Sequence, residues 1–239
     1  GAEDRYEPGA STEWAERFSG LLRSLEFLPN SPTLMNAGTP IGLLSGCVVL
    51  PVEDSLRSIF AALGHAALVH QAGGGTGYAF SHLRPEGDIV TSTGGTASGP
   101  LSFLHVFDTA AGVLRLGGRR RAANMAVLDV SHPDVYAFVA AKATPGNLEH
   151  FNLSVGVSHR FLRAVERGGT HRLVNPRTGR TVARVGAADL FDAICDAAHR
   201  TGDPGLLFLD TINRANPTPA LGRIEATNPC GEVPLLPNE

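Results

Sequence analysis

Five short apolar runs, spread along the chain and separated by amphipathic stretches, constrain this sequence more than any other feature. Residues 47–50, 78–81, 125–130, 151–157 and 206–210 each have the length and content of a strand. Between them, apolar residues recur at helical spacing. One helix carries Leu56, Ile59, Phe60 and Leu63 behind Asp54, which is placed to cap it. Others run over 101–114, from Ser131 (the cap, with Pro133 in the first turn), over 158–167 and over 188–199. Strands alternating with helices predict an α/β fold with a largely parallel sheet, because parallel neighbours need a crossover long enough to hold a helix. One segment breaks the alternation: residues 170–185 read as a polar hairpin around Arg177-Thr-Gly. At the front, residues 11–28 read as an amphipathic helix through Trp14, Phe18, Leu21, Leu22 and Leu25. Pro29-Asn-Ser-Pro-Thr then forces an extended or turning segment.

At 239 residues the chain can bury one large core or two small ones. With 20 Lys and Arg against 23 Asp and Glu, neither sign of charge dominates, which argues against a partner such as nucleic acid or a membrane surface. No apolar run approaches the roughly 20 residues a membrane-spanning helix needs. The start, Gly1-Ala-Glu-Asp-Arg-Tyr-Glu, has no initiator Met and no signal-peptide pattern, so the sequence reads as an excerpt from a longer chain. Three widely spaced cysteines, Cys47, Cys195 and Cys230, exclude a disulfide scaffold and leave no expected metal site. Reduced thiols fit a cytoplasmic location.

The glycines cluster at 73–77, 94–99 and 117–118. Gly73-Gly-Gly-Thr-Gly77 lacks the Lys-Ser/Thr of a phosphate loop and follows a helix, so by itself it reads as a helix stop. Residues 115–121 set four arginines around two glycines, a pattern that suits either phosphate binding or a solvated surface loop. Cys195 falls within a helix and is assigned to packing; Cys47, before an apolar run, reads alone as a core cysteine. The richest chemistry lies in Asn228-Pro-Cys-Gly-Glu232. If that stretch is extended, Asn228, Cys230 and Glu232 share one face. A thiol can exchange a hydrogen atom, a carboxylate can take a proton and an amide can orient a hydroxyl. Together they suit redox chemistry on a polyhydroxylated substrate.

The order of motifs along residues 27–239 resembles one family. The blocks are Pro29-Asn-Ser-Pro-Thr-Leu-Met-Asn-Ala-Gly-Thr39, Ser45-Gly-Cys-Val-Val-Leu-Pro-Val-Glu-Asp-Ser55, Gly73-Gly-Gly-Thr-Gly-Tyr78, Leu83-Arg-Pro-Glu-Gly-Asp88, Ala97-Ser-Gly-Pro100, Arg120-Arg-Ala-Ala-Asn-Met125 and Ala226-Thr-Asn-Pro-Cys-Gly-Glu-Val-Pro-Leu-Leu-Pro237. This looks like the large catalytic chain of ribonucleotide reductase. The Asn-Pro-Cys-Gly-Glu and Pro-Leu-Leu-Pro forms most resemble the adenosylcobalamin-dependent class II enzymes. The resemblance implies a helical lead-in over 1–28, followed over 29–239 by the first half of a ten-stranded α/β barrel.

It also implies roles. Cys230 would carry a thiyl radical, Glu232 would act as general base, Asn228 would hold the ribose hydroxyls, and Cys47 would be one of two reducing thiols. Substrate would meet Ser31, Thr33, Gly46, Gly75, Pro229, Gly231 and Arg120. Asp54, Arg84 and Arg115 would contact a deoxynucleoside triphosphate effector. The implied partners are a ribonucleoside diphosphate, a thioredoxin-type reductant and a second copy of the chain, packed through the helices near 55–71 and 101–114. Gly46 stands where Ala or Ser is common, Ala122 where Gly is usual, and Leu116 where a glutamine would read a base edge. The second reducing cysteine is expected beyond Glu239, so the chain by itself is expected to be inactive. Two alternatives stay open: a class I large subunit served by a separate metal-radical subunit, and a non-catalytic module that binds deoxynucleotides for regulation.

Overall fold

The computed structural model describes residues 3–91, 93–113 and 122–239. It separates into two compact units, Gly1–Ser45 and Gly46–Glu239.

The first unit holds helices α1 (Ser11–Arg23) and α2 (Ser31–Asn36) after a single 3-10 turn. Helix α1 ends five residues short of the expected 28, where Leu25 takes a positive φ of 60°. Its stripe buries no residue; Trp14 and Phe18 lie against each other at 5.8 Å, with Arg17 over the Trp14 ring. The segment expected to be extended after Pro29 is helical instead. The Asn30 side chain accepts the Thr33 amide at 2.9 Å, and Pro32 sits in the first turn, where a missing N–H goes unused. Residues 29–45, assigned by sequence to the barrel segment, group by contact with residues 1–28.

The second unit opens with β1 (Cys47–Val49), α3 (Leu56–Gln71) and β2 (Gly75–Ala79). A small antiparallel flap, β3 (Ile89–Val90) and β4 (Gly95–Thr96), precedes α4 (Gly99–Val113) and β5 (Asn124–Asp129). Then come α5 (Val135–Ala140), β6 (Phe151–Val157), α6 (His159–Glu166), the hairpin β7 (Thr170–Val174) and β8 (Thr181–Gly186), α7 (Ala187–Thr201), β9 (Gly205–Phe208) and α8 (Leu209–Arg214). The chain ends in a hairpin of β10 (Ala226–Thr227) and β11 (Pro234–Leu235).

Five strands pair in parallel in chain order, β1-β2-β5-β6-β9, so the α/β expectation holds. The order never reverses, unlike a doubly wound sheet, and α3 to α7 all pack on one face. Ile59, Leu104, Phe138, Phe161 and Leu190 from these helices meet Tyr78, Leu128, Leu153 and Val155 from the strands. The period-2 pleat turns the alternate residues to the other face. There Met125 and Val127 form a smaller core with Val49, Leu209 and Ala226. That second face carries the site.

Several local expectations are corrected. Strand β2 begins at Gly75, three residues earlier than the apolar run suggested. Gly73, at φ 85°, ends the helix turn, whereas Gly75 and Gly77 are extended strand residues. Ser55, not Asp54, caps α3 by accepting the Ser58 amide, because the Asp54 carboxylate is taken by Arg84. Ser131 caps nothing: α5 starts at Val135, and the Ser131 hydroxyl bonds the His171 ring at 3.1 Å. Cys195 lies on α7 as expected but is exposed, because Leu190, Ile194 and Ala197 form the stripe that faces the core. The hairpin expected over 170–185 is present as β7–β8.

Candidate active site

Thr227, Asn228 and Pro229 lie directly on the second face of the sheet, and glycine makes that approach feasible. A Cβ on Gly77 would fall 1.7 Å from the Thr227 carbonyl oxygen, and one on Gly75 would fall 2.5 Å from Pro229 Cγ. Two strand positions thus lack side chains where another backbone crosses them. The glycine run read as a helix stop is, in its second half, the seat of the C-terminal hairpin.

That hairpin overturns the extended geometry expected for 228–232. Asn228 closes a tight loop: its backbone N–H donates to Val233 O at 3.1 Å, and its Oδ1 accepts the Val233 amide at 2.9 Å. Gly231 N donates to Asn228 O at 3.1 Å, and Gly231 itself takes φ 86°. The Asx closure and the left-handed glycine make a turn where alternation alone suggested a strand. Asn228 is fully buried, while Cys230 and Glu232 are exposed at the tip.

Two further contacts fix the hairpin. Asn228 Nδ2 points at Cys47 Sγ, 3.7 Å away, which ties the loop to the first residue of β1. Asn152, on the same face of β6, donates from Nδ2 to Pro229 O at 2.7 Å and holds the residue just before Cys230. Beyond β11 the chain returns along the free edge of β1: Asn238 N donates to Val49 O, and Val49 N to Glu239 O, both at 2.7 Å. Cys47, Asn228, Pro229, Gly75 and Gly46 are therefore gathered at one end of β1 and β2, where Gly75 N donates to Gly46 O at 2.9 Å. Ser31 and Thr33 stand in the first unit; Thr33 Oγ1 lies 2.6 Å from Leu44 O.

Behind this end of the sheet runs a buried polar chain that the sequence reading missed. Thr76 Oγ1 donates to Asn124 Oδ1 at 2.7 Å and accepts from the Tyr78 hydroxyl at 2.8 Å. Its one proton is then committed, so the His70 Nε2 at 3.0 Å must donate to it. His70 has a buried Nδ1 without a partner among the described residues, so a second proton there would go unmatched. Burial pushes its pKa down to about 4 and pushes the Tyr78 phenol up. Asn124 Nδ2 donates to His150 O at 2.9 Å. The legible signal was Asn124 itself, an amide heading the apolar run 125–130.

Asp54 and Arg84 meet at a second place. Arg84 Nε lies 3.0 and 2.9 Å from the two Asp54 oxygens, and Arg84 Nη2 adds a contact at 2.8 Å. Both line a cavity of about 540 Å³, together with Ser55 and Leu56 at the start of α3, Ser98 and Gly99 at the start of α4, and the flap residues Val90, Thr93 and Thr96. Two helix N-termini open onto it, an arrangement that favours an anion, while the Arg84 charge there is balanced by Asp54. Its volume is in the range of small-ligand sites. Arg115, Arg120 and Leu116 lie outside the described residues. Among the described residues no group of three or more His, Cys, Asp or Glu is placed to hold a metal, and no helix is long and apolar enough to cross a membrane.

A family model for the ribonucleotide reductase barrel domain matches residues 45–239, and one for the all-alpha domain of ribonucleotide reductase matches residues 2–42. The chain is 75% identical over 239 residues to the vitamin B12-dependent ribonucleoside-diphosphate reductase of Mycobacterium tuberculosis (strain ATCC 25618 / H37Rv), covering 100% of this chain and 34% of that protein. It is 52% identical over 227 residues to the protein of the same name from Thermoplasma acidophilum, covering 95% of this chain and 30% of the relative. With the ribonucleoside-diphosphate reductase large subunit of Arabidopsis thaliana the identity is 31% over 235 residues, 87% of this chain and 29% of the relative. The chain spans about a third of the length of these curated relatives.

Proposed function

The chain belongs to the ribonucleotide reductase family, and on that footing we propose that its protein reduces ribonucleoside diphosphates to deoxyribonucleotides by a thiyl-radical route that depends on adenosylcobalamin. The observation that carries the reading is the Asn228–Val233 loop: it seats an exposed thiol and an exposed carboxylate two residues apart, above a half-buried second thiol. The five parallel strands, in unreversed order, would be half of a ten-stranded barrel with this hairpin inside it.

Cys230 is a free thiol that stands exposed at the hairpin tip, which fits approach by a bulky corrin cofactor. When bound, that cofactor supplies the one-electron oxidation at the Cys230 sulfur. Cys230 then removes the ribose 3′ hydrogen atom, and Glu232, within the same loop, takes the 3′-hydroxyl proton. Asn228 has spent Oδ1 on Val233 and one Nδ2 proton on Cys47; its other Nδ2 proton remains for a ribose hydroxyl. Cys47 gives its proton to the departing 2′-hydroxyl and ends in a disulfide with a second thiol, which this reading places beyond Glu239. The cavity beside Arg84 takes a deoxynucleoside triphosphate effector. A thioredoxin-type protein restores the thiols, and α3 and α4 serve a homodimer.

The test is turnover of the full-length protein with and without added adenosylcobalamin. Dependence on the cofactor, with loss of 3′-hydrogen exchange in Cys230→Ser, is the expected result. Turnover supported only by a separate iron or manganese subunit, or exchange that survives Cys230→Ser, would sink the reading.

A further inference from the structure

Between β6 and β9 the chain leaves its parallel sheet to build the β7–β8 hairpin, and the tip of that hairpin reaches Asp88, 87 residues away from Asn175 in sequence. Asn175 is buried. Its N–H donates to Arg180 O at 2.9 Å, and its Oδ1 accepts the amides of Arg177 at 2.9 Å and Thr178 at 3.2 Å. The turn is thus locked by one amide oxygen, and Nδ2 is left to reach Asp88 Oδ2 at 2.9 Å. Arg177 adds a fork, Nε to Oδ2 at 3.0 Å and Nη2 to Oδ1 at 2.9 Å. A planar guanidinium on a carboxylate is the strong, directional form of an ion pair.

Asp88 is the foot of the β3–β4 flap. Its carbonyl accepts the Ala97 amide at 2.7 Å, and Gly87 N donates to Ala97 O at 2.9 Å. Beyond that foot, Val90, Thr93, Thr96 and Ala97 form one wall of the 540 Å³ cavity. On the cavity side, Arg84 Nη1 donates to Ile89 O at 3.3 Å. The foot is therefore gripped from both sides, by Arg84 within the cavity and by Arg177, which does not line it.

We propose that the Asp88–Arg177–Asn175 clamp is a positioning element that holds the flap against the cavity and so sets the affinity for a deoxynucleoside triphosphate. The proposal rests on the reading of that cavity as an effector site. A ligand that binds only the closed flap has its apparent Kd raised by the reciprocal of the closed fraction. Arg177 and Asn175 hold the Asp88 carboxyl well below the usual carboxylate range, so the clamp stays charged at neutral pH.

The experiment measures binding of each of the four deoxynucleoside triphosphates to the full-length protein by calorimetry, with hydrogen exchange followed in the peptide spanning 87–97. Ala97→Trp, which fills the cavity, reports on the cavity itself, and Arg84→Ala on the cavity together with its grip on Ile89; Arg177→Ala and Asp88→Asn report on the clamp alone. The clamp variants should raise Kd about tenfold, as a fall of the closed fraction to roughly a tenth requires. They should speed exchange in the flap alone and lower the unliganded Tm by no more than a few degrees, and Arg177→Lys should recover part of the affinity. Affinity lost in the cavity variants but kept in Arg177→Ala overturns the clamp and spares the effector site. No binding by the wild type, or full binding by the cavity variants, overturns both. A general drop in Tm with faster exchange throughout would also overturn it, by making Arg177 merely structural.

Discussion

The carbonyl oxygen of Thr227 lies 1.7 Å from where a Cβ on Gly77 would have to stand. One strand residue is therefore missing its side chain so that the backbone leading to Asn228 and Cys230 can rest on the sheet. Neither backbone can yield without breaking pairing, since Gly77 is in register with Val49 on one side and Met125 on the other.

Gly77→Ala should accordingly lift the β10–β11 hairpin from the sheet. A loss of about 1–3 kcal/mol or more is expected from overpacking of this kind, together with loss of turnover in the full-length protein. Wild-type stability and activity in Gly77→Ala, measured by denaturant titration and assay, would contradict the seating.

Asn228 is fully buried and its Oδ1 is the partner of Val233 N. Asn228→Ala removes the acceptor that closes the loop on the partly exposed Val233 and should cost about 0.5–1.5 kcal/mol. Asn228→Asp keeps the acceptor but buries an unpaired carboxylate and, ionised, cannot donate to Cys47 Sγ, so its stability should recover toward acid pH, where the group is neutral, while activity at neutral pH is lost. Equal stability loss in the two variants at acid pH, where the aspartate is neutral, would show that the acceptor contact is not what closes the loop.

His82 and Glu225 are 2.5 Å apart and tie the segment after β2 to the residue before β10. The hydrogen bond to Glu225 raises the His82 pKa above 6.5, and the same bond lowers that of Glu225 below 4.5. A raised histidine stabilises the fold fully below pH 6.5 and loses that contribution as pH rises through its folded value. The lowered carboxylate stabilises it above pH 4.5 and loses that as pH falls through its folded value. The pair is thus strongest between these limits, and His82→Gln should remove the decline in stability on the alkaline side. An unchanged pH profile of unfolding in that variant would refute the tie.

His70 works in the opposite sense. Its folded pKa is about 4 against 6.5 in an unfolded chain, so between those values only the unfolded state takes up the proton. Stability from this site should be complete above pH 6.5 and fall as the solution is acidified toward pH 4. His70→Gln, which can still donate to Thr76, should flatten that acid limb. A limb as steep as the wild type's would mean that another group carries it.

Thiol alkylation distinguishes the three cysteines without any cofactor. Cys195 and Cys230 are exposed and Cys47 is half-buried beside Asn228. In the 239-residue chain Cys195 and Cys230 should react fast and Cys47 slowly, and Asn228→Ala should speed the slow one. Protection of Cys230 would place the hairpin tip elsewhere than at the surface of this unit.

The α/β class, the parallel sheet and the β7–β8 hairpin were legible because each rests on periodicity and turn residues that act over a few positions. The motif Asn228-Pro-Cys-Gly-Glu232 was legible as chemistry, but its geometry was not. Alternation suggested an extended strand, whereas the closure of Asn228 on Val233 and the left-handed Gly231 make a turn. Helix caps were misplaced for a related reason: Asp54 and Ser131 have the right side chains, but partners distant in sequence, Arg84 and His171, claim them.

Local spacing thus determined where strands and helices form and which groups can exchange hydrogen. Only the tertiary structure decided that Gly75 and Gly77 are a seat for the Cys230 hairpin, that Asn228 lies beside Cys47, and that Asn175 and Arg177 reach Asp88. The physical reason is the same in each case. These are contacts between residues dozens to nearly two hundred positions apart, and no local preference records them until the sheet brings its strands side by side.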